Sequence, residues 1–64
     1  MTWDEAKKAA VKDSRYIKRP AWEYTKVNYD PVRGTFFEST THYGKEATLK
    51  FVPTVEEKLA TDWV

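Results

Sequence analysis

Apolar residues at the start of the chain recur with the spacing of an α-helix. Trp3, Ala6 and Ala10 stand at positions i, i+3 and i+7, which a helix places on one face. Thr2 begins a T-x-x-E sequence, the spacing of a capping box, in which each side chain bonds a free backbone N–H of the first turn. We therefore predict a helix over Thr2–Asp13 that buries Trp3 and its alanines.

The next part of the chain changes to short alternating runs that are typical of β-strands. The predicted strands are Arg15–Arg19, Trp22–Tyr29, Thr35–Glu38 and Ala47–Val52. Pro20 interrupts the first run because it lacks a backbone N–H, and Asp30–Gly34 contains the proline and glycine of a hairpin turn. Ser39–Lys45 is polar and contains a glycine, so we predict a loop there.

A second T-x-x-E sequence begins at Thr54 and predicts a short helix that ends at Ala60. Val55 and Leu59 are four residues apart and would share its buried face. The last segment, 61–64, is compatible with an edge strand. The pattern predicts one α+β domain over 1–64: an N-terminal helix packed on a small antiparallel β-sheet, with a short second helix near the C-terminus.

The size of the chain limits how it can be stabilised. A domain of 64 residues buries only about 60% of the surface that its unfolded chain exposes, so its core is marginal. The chain has no cysteine and one histidine, which excludes disulfides, thiolate metal sites and clusters of imidazole ligands. Three Trp, four Tyr and three Phe are a heavy aromatic load for so small a core. We therefore expect a homo-oligomer, with aromatic residues in interfaces or ligand pockets.

Charge and hydropathy indicate which partners and which cellular compartment suit the protein. Eleven basic and ten acidic residues give a net charge of +1, which argues against a binder of long polyanions. The lysines of the first helix are interpreted as a solvated face; they are Lys7, Lys8 and Lys12. No stretch approaches the roughly 20 apolar residues that a membrane span requires, and the start of the chain lacks the apolar core of a signal peptide. We expect a soluble, cytoplasmic protein that binds no membrane.

Residues from which active sites are assembled are scarce. His42 lies in the predicted polar loop and is interpreted as a solvated histidine, and the two glycines form no phosphate-binding loop. We therefore expect a binding protein with no catalytic residues, no metal site and no cofactor. Arg19 next to Pro20 and Trp22 is compatible with a phosphate contact beside a stacked base or with a structural cation–π pair. Both interpretations stay open.

Three blocks of sequence carry a resemblance to a known family. They are M-T-W-D-E-A-K-K-A at 1–9, I-K-R-P-A-W at 17–22 and P-T-V-E-E-K-L-A-T-D-W at 53–63. In this order they resemble the Thoeris anti-defence family of the second type. That resemblance implies a phage-encoded sponge that sequesters a cyclic ADP-ribose isomer or a cyclic dinucleotide without cleaving it. It also implies a homo-oligomer that holds the ligand between protomers.

The resemblance also implies roles for individual residues. The positions that match the family motifs are Trp3, Arg19, Trp22, Asp62 and Trp63. By this analogy Trp3 and Trp22 would stack on the adenine or close an apolar wall, and Arg19 would face the pyrophosphate. Asp62 would accept hydrogen bonds from ribose hydroxyls, while Trp63 would stack or brace it. The residues alone leave open whether Trp63 fills the core of the small domain or serves as an aromatic platform.

Tyr24 completes the set of candidate ligand-binding residues, because the predicted strand places it on the same face as Trp22. The chain departs from the family where Ser14 replaces a helix-ending glycine and Lys18 replaces the first arginine of a pair. The segment 29–46 matches no part of the family pattern.

A second class of function fits the same residues. A small phage inhibitor could dock on a host protein through exposed aromatic and basic side chains, the residue types that dominate interface hot spots. Single-stranded nucleic-acid binding is a third hypothesis, and the net charge of +1 disfavours it. The absence of small-molecule binding would distinguish the docking hypothesis from the sponge.

Overall fold

Helix α1 runs from Trp3 to Asp13 in the computed structural model, which describes all of residues 1–64. The predicted capping box is present: Thr2 Oγ1 accepts from the Glu5 N–H at 3.2 Å, and Glu5 Oε1 accepts from the Thr2 N–H at 2.9 Å. Trp3 and the two alanines of the predicted face are buried, as expected. The helix ends at Ser14, which adopts the left-handed conformation.

The sheet is an antiparallel meander of three strands in the order β1-β2-β3. Strand β1 is Thr25–Asp30, β2 is Thr35–His42 and β3 is Lys45–Lys50. The predicted turn after Asp30 is confirmed, because Asp30 Oδ1 accepts from the backbone N–H groups of Val32 and Arg33. With the helix on one face, this is the predicted α+β fold.

Two predictions for this region were wrong, one of a loop and one of a strand. The predicted loop Ser39–Lys45 is mostly strand, and only Tyr43 and Gly44 remain outside it, as a two-residue turn with φ of 50° and 76°. Polarity misled the prediction, because these positions are Ser and Thr that suit a partly solvated strand. The predicted strand Arg15–Arg19 is reduced to a single bridge between Ile17 and Val27, whose N–H and C=O groups exchange two bonds of 2.8 Å.

Seven buried apolar residues form the core. They are Trp3, Ala6, Ala10, Ile17, Val27, Phe51 and Trp63. Residues paired in register share a face of the sheet, so Tyr29, Phe36 and Phe51 point toward α1. Trp63 is completely buried, so a residue from the end of the chain occupies the centre of the core.

Helix α2 is Val55–Leu59, and its predicted capping box is present. The predicted burial of its apolar pair was wrong: Val55 and Leu59 are 73% and 76% exposed. The helix has only five residues, and it contacts the core through its backbone, since the Glu57 carbonyl accepts from the Trp63 Nε1–H at 3.0 Å. Its apolar side chains are therefore left at the surface.

The C-terminal segment closes the domain through bonds to Lys18 and Met1. Lys18 and Val64 exchange backbone hydrogen bonds of 2.9 and 2.8 Å, the pairing of an edge strand limited to one residue pair. The Met1 ammonium donates to the Trp63 carbonyl at 2.7 Å. Neither helix has the length and apolar character needed to cross a bilayer.

Candidate functional site

Two of the tryptophans nominated from sequence are part of the core. Trp3 is 8% exposed and Trp63 is 0% exposed, and their ring centroids lie 4.9 Å apart. A base can stack only on a ring face that is free, and the Trp63 ring has none. The structure thus places Trp63 as the plug of the core, and a stacking role for Trp3 or Trp63 would require the core to open.

Arg19 and Asp62 are brought together, as the resemblance implies, but they bind each other. Arg19 Nε donates to Asp62 Oδ1 at 2.8 Å and Nη2 donates to Asp62 Oδ2 at 3.2 Å. The third nitrogen, Nη1, lies 3.6 Å from a carboxylate oxygen of Glu56. This bidentate pair occupies the donors that would face a pyrophosphate and the acceptors that would face a ribose.

The charges of this pair are mutually stabilised. The hydrogen bonds from Arg19 hold the pKa of Asp62 below its ordinary value, against a smaller opposing effect of desolvation. The hydrogen bond to Asp62 likewise raises the pKa of Arg19. Both groups therefore remain ionised at neutral pH, and the pair joins residues 17–19 to the C-terminal segment.

Trp22 and Tyr24 do not line a common cavity, which corrects the placement predicted from an alternating strand. Strand β1 begins only at Thr25, so the two side chains are not on one face of a regular strand. Trp22 is half-buried against Trp63, with ring centroids 5.2 Å apart and nearly perpendicular. Tyr24 is 64% exposed and borders two small open depressions, one of which lies beside the turn after β2.

The largest cavity lies elsewhere, and it is an open groove between α1 and Phe36 of β2. It has a volume of about 740 Å³ and is lined by Asp4, Lys7, Lys8, Val11, Lys12 and Phe36. Helix α1 packs over β1, so the neighbouring face of β2 is left open beside it, with the half-buried Phe36 ring as part of the lining. Pockets of about 300–1,000 Å³ are the usual size for small-molecule ligands.

The electrostatics of this cavity are basic. Lys7 is neutralised in part, because its Nζ lies 3.2 Å from Asp4 Oδ1 and 5.5 Å from the centre of the Trp3 ring. Lys8 and Lys12 form no ion pair, and they are four residues apart on the same side of the helix. Two unpaired ammonium groups beside an aromatic ring suit a ligand that carries both an anion and an apolar ring.

Sequence reasoning interpreted these three lysines as a solvated helix face and did not nominate Val11 or Phe36. One signal was present: Asp4, Lys8 and Val11 have the i, i+4, i+7 spacing of a second helix face, with an apolar residue in it. The contribution of Phe36 depends on the sheet leaving its ring open beside α1. That arrangement is tertiary and has no counterpart in local sequence.

No group of three or more His, Cys, Asp or Glu side chains is arranged to hold a metal ion. The cavity lining also contains no hydroxyl, thiol or imidazole. Compared with known proteins, the chain matches no family model, no curated protein and no solved structure.

Proposed function

We propose that this protein binds and holds a small nucleotide signal of the cyclic ADP-ribose or cyclic dinucleotide type without cleaving it. In this role it is a phage anti-defence sponge, acting in the cytoplasm of the infected cell as a homo-oligomer with ligand between protomers. The observation that carries the proposal is the basic cavity between α1 and Phe36. The motif resemblance at 1–9, 17–22 and 53–63 supplies the ligand class.

The chemistry of the cavity supports a phosphate-bearing ligand. Lys8 and Lys12 have no carboxylate partner, so an incoming phosphate would not have to displace one. A nucleobase is flat and apolar on its faces, and the Phe36 ring offers a matching surface in the same lining. Asp4 is an acceptor at the edge of the cavity for an amine or hydroxyl of the ligand.

The lining also supports binding without turnover. Nucleophilic catalysis commonly uses a hydroxyl or thiol beside a base that activates it. The lining offers one carboxylate and three lysines and contains no hydroxyl, thiol or imidazole. The only histidine, His42, lies outside this cavity, at the end of β2.

A second candidate function is docking on a host protein, and the exposed apolar residues of the C-terminal third favour it. Val52, Val55 and Leu59 are each more than 70% exposed. Val55 and Leu59 are four residues apart on α2, so their side chains lie on one face of the helix, and contiguous exposed apolar surface often belongs to an interaction site. This candidate predicts that no nucleotide binds and that Leu59→Ser abolishes association with the host protein.

Calorimetric titration tests the first proposal, with a panel of cyclic ADP-ribose isomers and cyclic dinucleotides as ligands. Lys8→Glu combined with Lys12→Glu replaces both unpaired cations of the cavity by anions. We expect this variant to weaken binding by a factor of about 100, roughly tenfold for each lost charge-assisted bond. Lys58→Glu is the matched control, because Lys58 is exposed on α2 and lines no cavity.

Ligand released by heat should be chemically unchanged when it is examined by chromatography. Conversion of the ligand would show an enzyme and overturn the sponge. Binding that survives in Lys8→Glu/Lys12→Glu but disappears in a folded Arg19→Ala variant would move the site to the residues nominated from sequence. Absence of heat for every nucleotide, from folded protein, would favour host-protein docking.

A further inference from the structure

Strand β3 is the unpaired edge of the sheet. The opposite edge, β1, is partly covered by Ile17, which bonds to Val27 in both directions. Strand β3 has a neighbour only on the β2 side, and all six of its residues are exposed. A regular strand of this kind presents free N–H and C=O groups in a row, which is a template for another strand.

The register of the β2–β3 hairpin shows which groups of β3 are free. Antiparallel pairs alternate between positions that exchange hydrogen bonds and positions that do not. The Phe51 N–H donates to the Phe36 carbonyl at 2.9 Å, so the bonded positions of this strand are the odd-numbered ones. The backbone groups of Glu46, Thr48 and Lys50 therefore point away from β2.

This alternation restricts how two copies of β3 could pair. Outward residues, meaning those whose backbone N–H and C=O groups point away from β2, must lie opposite outward residues of the second copy. Only registers that join even-numbered positions are therefore allowed. Only with Thr48 opposite Thr48 does each outward residue of β3 face an outward residue of the second strand. Glu46 then lies opposite Lys50, and every outward N–H and C=O of the three residues gains a partner.

The side chains are complementary in the same register. Each Glu46 faces Lys50 of the second copy, and neither residue forms an ion pair within its own chain. Ala47 faces Leu49 on the other side of the strand, the side that bears Phe51 and the core. Leu49 is 64% exposed in the single chain, and this pairing would cover part of it.

We propose that two copies of this chain associate through β3, with the two-fold axis at Thr48, to form a continuous six-stranded antiparallel sheet. The interface is isologous: each copy supplies the same strand, and each Glu46 meets a Lys50 of the other copy. Edges that avoid pairing are commonly interrupted by proline, by bulges or by charged side chains, above all lysine. Strand β3 has no proline and pairs regularly with β2 along its length, and the charges of Glu46 and Lys50 are complementary when the strand is paired with its own reverse.

Charge exchange in the ligand-free protein tests this interface. Glu46→Lys and Lys50→Glu each place like charges opposite one another twice in the dimer. Each single variant is expected to raise the dissociation constant of the dimer by about tenfold or more. An equimolar mixture of the two variants restores both attractive pairs, so it should form a heterodimer as stable as the wild-type dimer.

Sedimentation velocity from about 10 µM to about 1 mM measures the self-association. Native mass spectrometry, with one variant labelled with ¹⁵N, measures the heterodimer. A wild-type protein that stays monomeric over this range would overturn the proposal. A dimer that neither variant weakens, or variants whose mixture does not recover, would do the same.

A cysteine variant tests the register independently of charge. Residues opposite one another in a bonded pair have Cα atoms about 5.5 Å apart, within the range that a disulfide spans. Thr48→Cys should therefore form a disulfide-linked dimer on mild oxidation, since the chain has no other cysteine. Ala47→Cys is the matched control, because residue 47 faces residue 49 of the second copy and should remain largely reduced. Equal cross-linking of both variants would contradict the proposed register.

Discussion

Arg19 and Asp62 form a bidentate ion pair between residues 43 positions apart in the chain. The pair lies beside the backbone bonds between Lys18 and Val64, so charge and backbone join the same two segments. It also lies beside α2, through the contact of Arg19 with Glu56. The residues that the motif resemblance assigned to a ligand therefore hold the C-terminal segment against the domain.

We predict that this pair makes stability depend on pH in the acid range. Hydrogen bonds from Arg19 lower the folded-state pKa of Asp62 below its ordinary value of 3.8. Its contribution is therefore complete above the unfolded-state pKa and is lost as the pH falls through the lower, folded-state pKa. Urea unfolding from about pH 7 down to about pH 2 should show this loss.

Asp62→Asn is the matched variant for this prediction. It should be less stable than the wild type at neutral pH, and its stability should fall less steeply in acid. Glu5 contributes in the same direction, because its hydrogen bond to the Thr2 backbone lowers its pKa. Some acid dependence should therefore persist in Asp62→Asn, and a curve parallel to that of the wild type would contradict the prediction.

The second prediction concerns Trp63, which is fully buried against Trp3 and Trp22. Truncation of a buried Trp to Ala typically costs about 3–5 kcal/mol. Small domains have about 0.05–0.15 kcal/mol of stability per residue, so this loss is comparable with the whole free energy of unfolding of the domain. Trp63→Ala should lack the near-UV circular dichroism of the folded state at 25 °C.

Trp63→Phe keeps a ring in the cavity but removes the Nε1–H that donates to Glu57. It should fold with reduced stability, which distinguishes a packing role from a general intolerance of substitution. A folded Trp63→Ala variant of nearly wild-type stability would show that the core closes without this residue.

The third prediction concerns Ser14, whose φ of 51° places a non-glycine residue in the left-handed region. That conformation costs an L-residue about 1–2 kcal/mol, and glycine adopts it without this penalty. Glycine also loses more entropy on folding, so the net gain from Ser14→Gly should be about 0.5–1 kcal/mol. The midpoint of urea unfolding measures it, and Ser14→Ala is the control that should show no gain.

The fourth prediction concerns the turn between β2 and β3, where Tyr43 has a φ of 50° and Gly44 a φ of 76°. Two positive φ values in succession match a type I′ turn, for which Asn-Gly is the preferred sequence. Tyr43→Asn should raise stability by less than about 1 kcal/mol relative to Tyr43→Ala. Both variants lose the ring contact with His42, so their difference isolates the backbone preference.

Local sequence predicted well the features that are fixed by neighbouring residues. Both capping boxes, the face of α1 and the turn after Asp30 depend on spacings of a few positions, and all are present. The burial of Val55 and Leu59 was wrong because it depends on what the helix packs against, and α2 docks through its backbone.

In the candidate site, too, tertiary packing decided what local sequence could not predict. The motif resemblance placed Arg19 and Asp62 in one site, and they are in contact, but it gave no indication that they would bind each other. The sequence interpretation assigned the lysines of α1 to a solvated helix face. Their proximity to Phe36 could not be predicted locally, because it arises from the packing of the helix over β1 and the open face of β2 beside it.

The position of Trp63 has a consequence for biosynthesis. The ring that completes the core is at position 63, so it is synthesised after the rings that it packs against, which are those of Trp3, Trp22 and Phe51. Until that segment emerges, the nascent chain can form its local hairpins but must leave those rings open to solvent or to chaperones. Truncated products of translation are therefore expected to be unfolded and to be removed by cellular proteases.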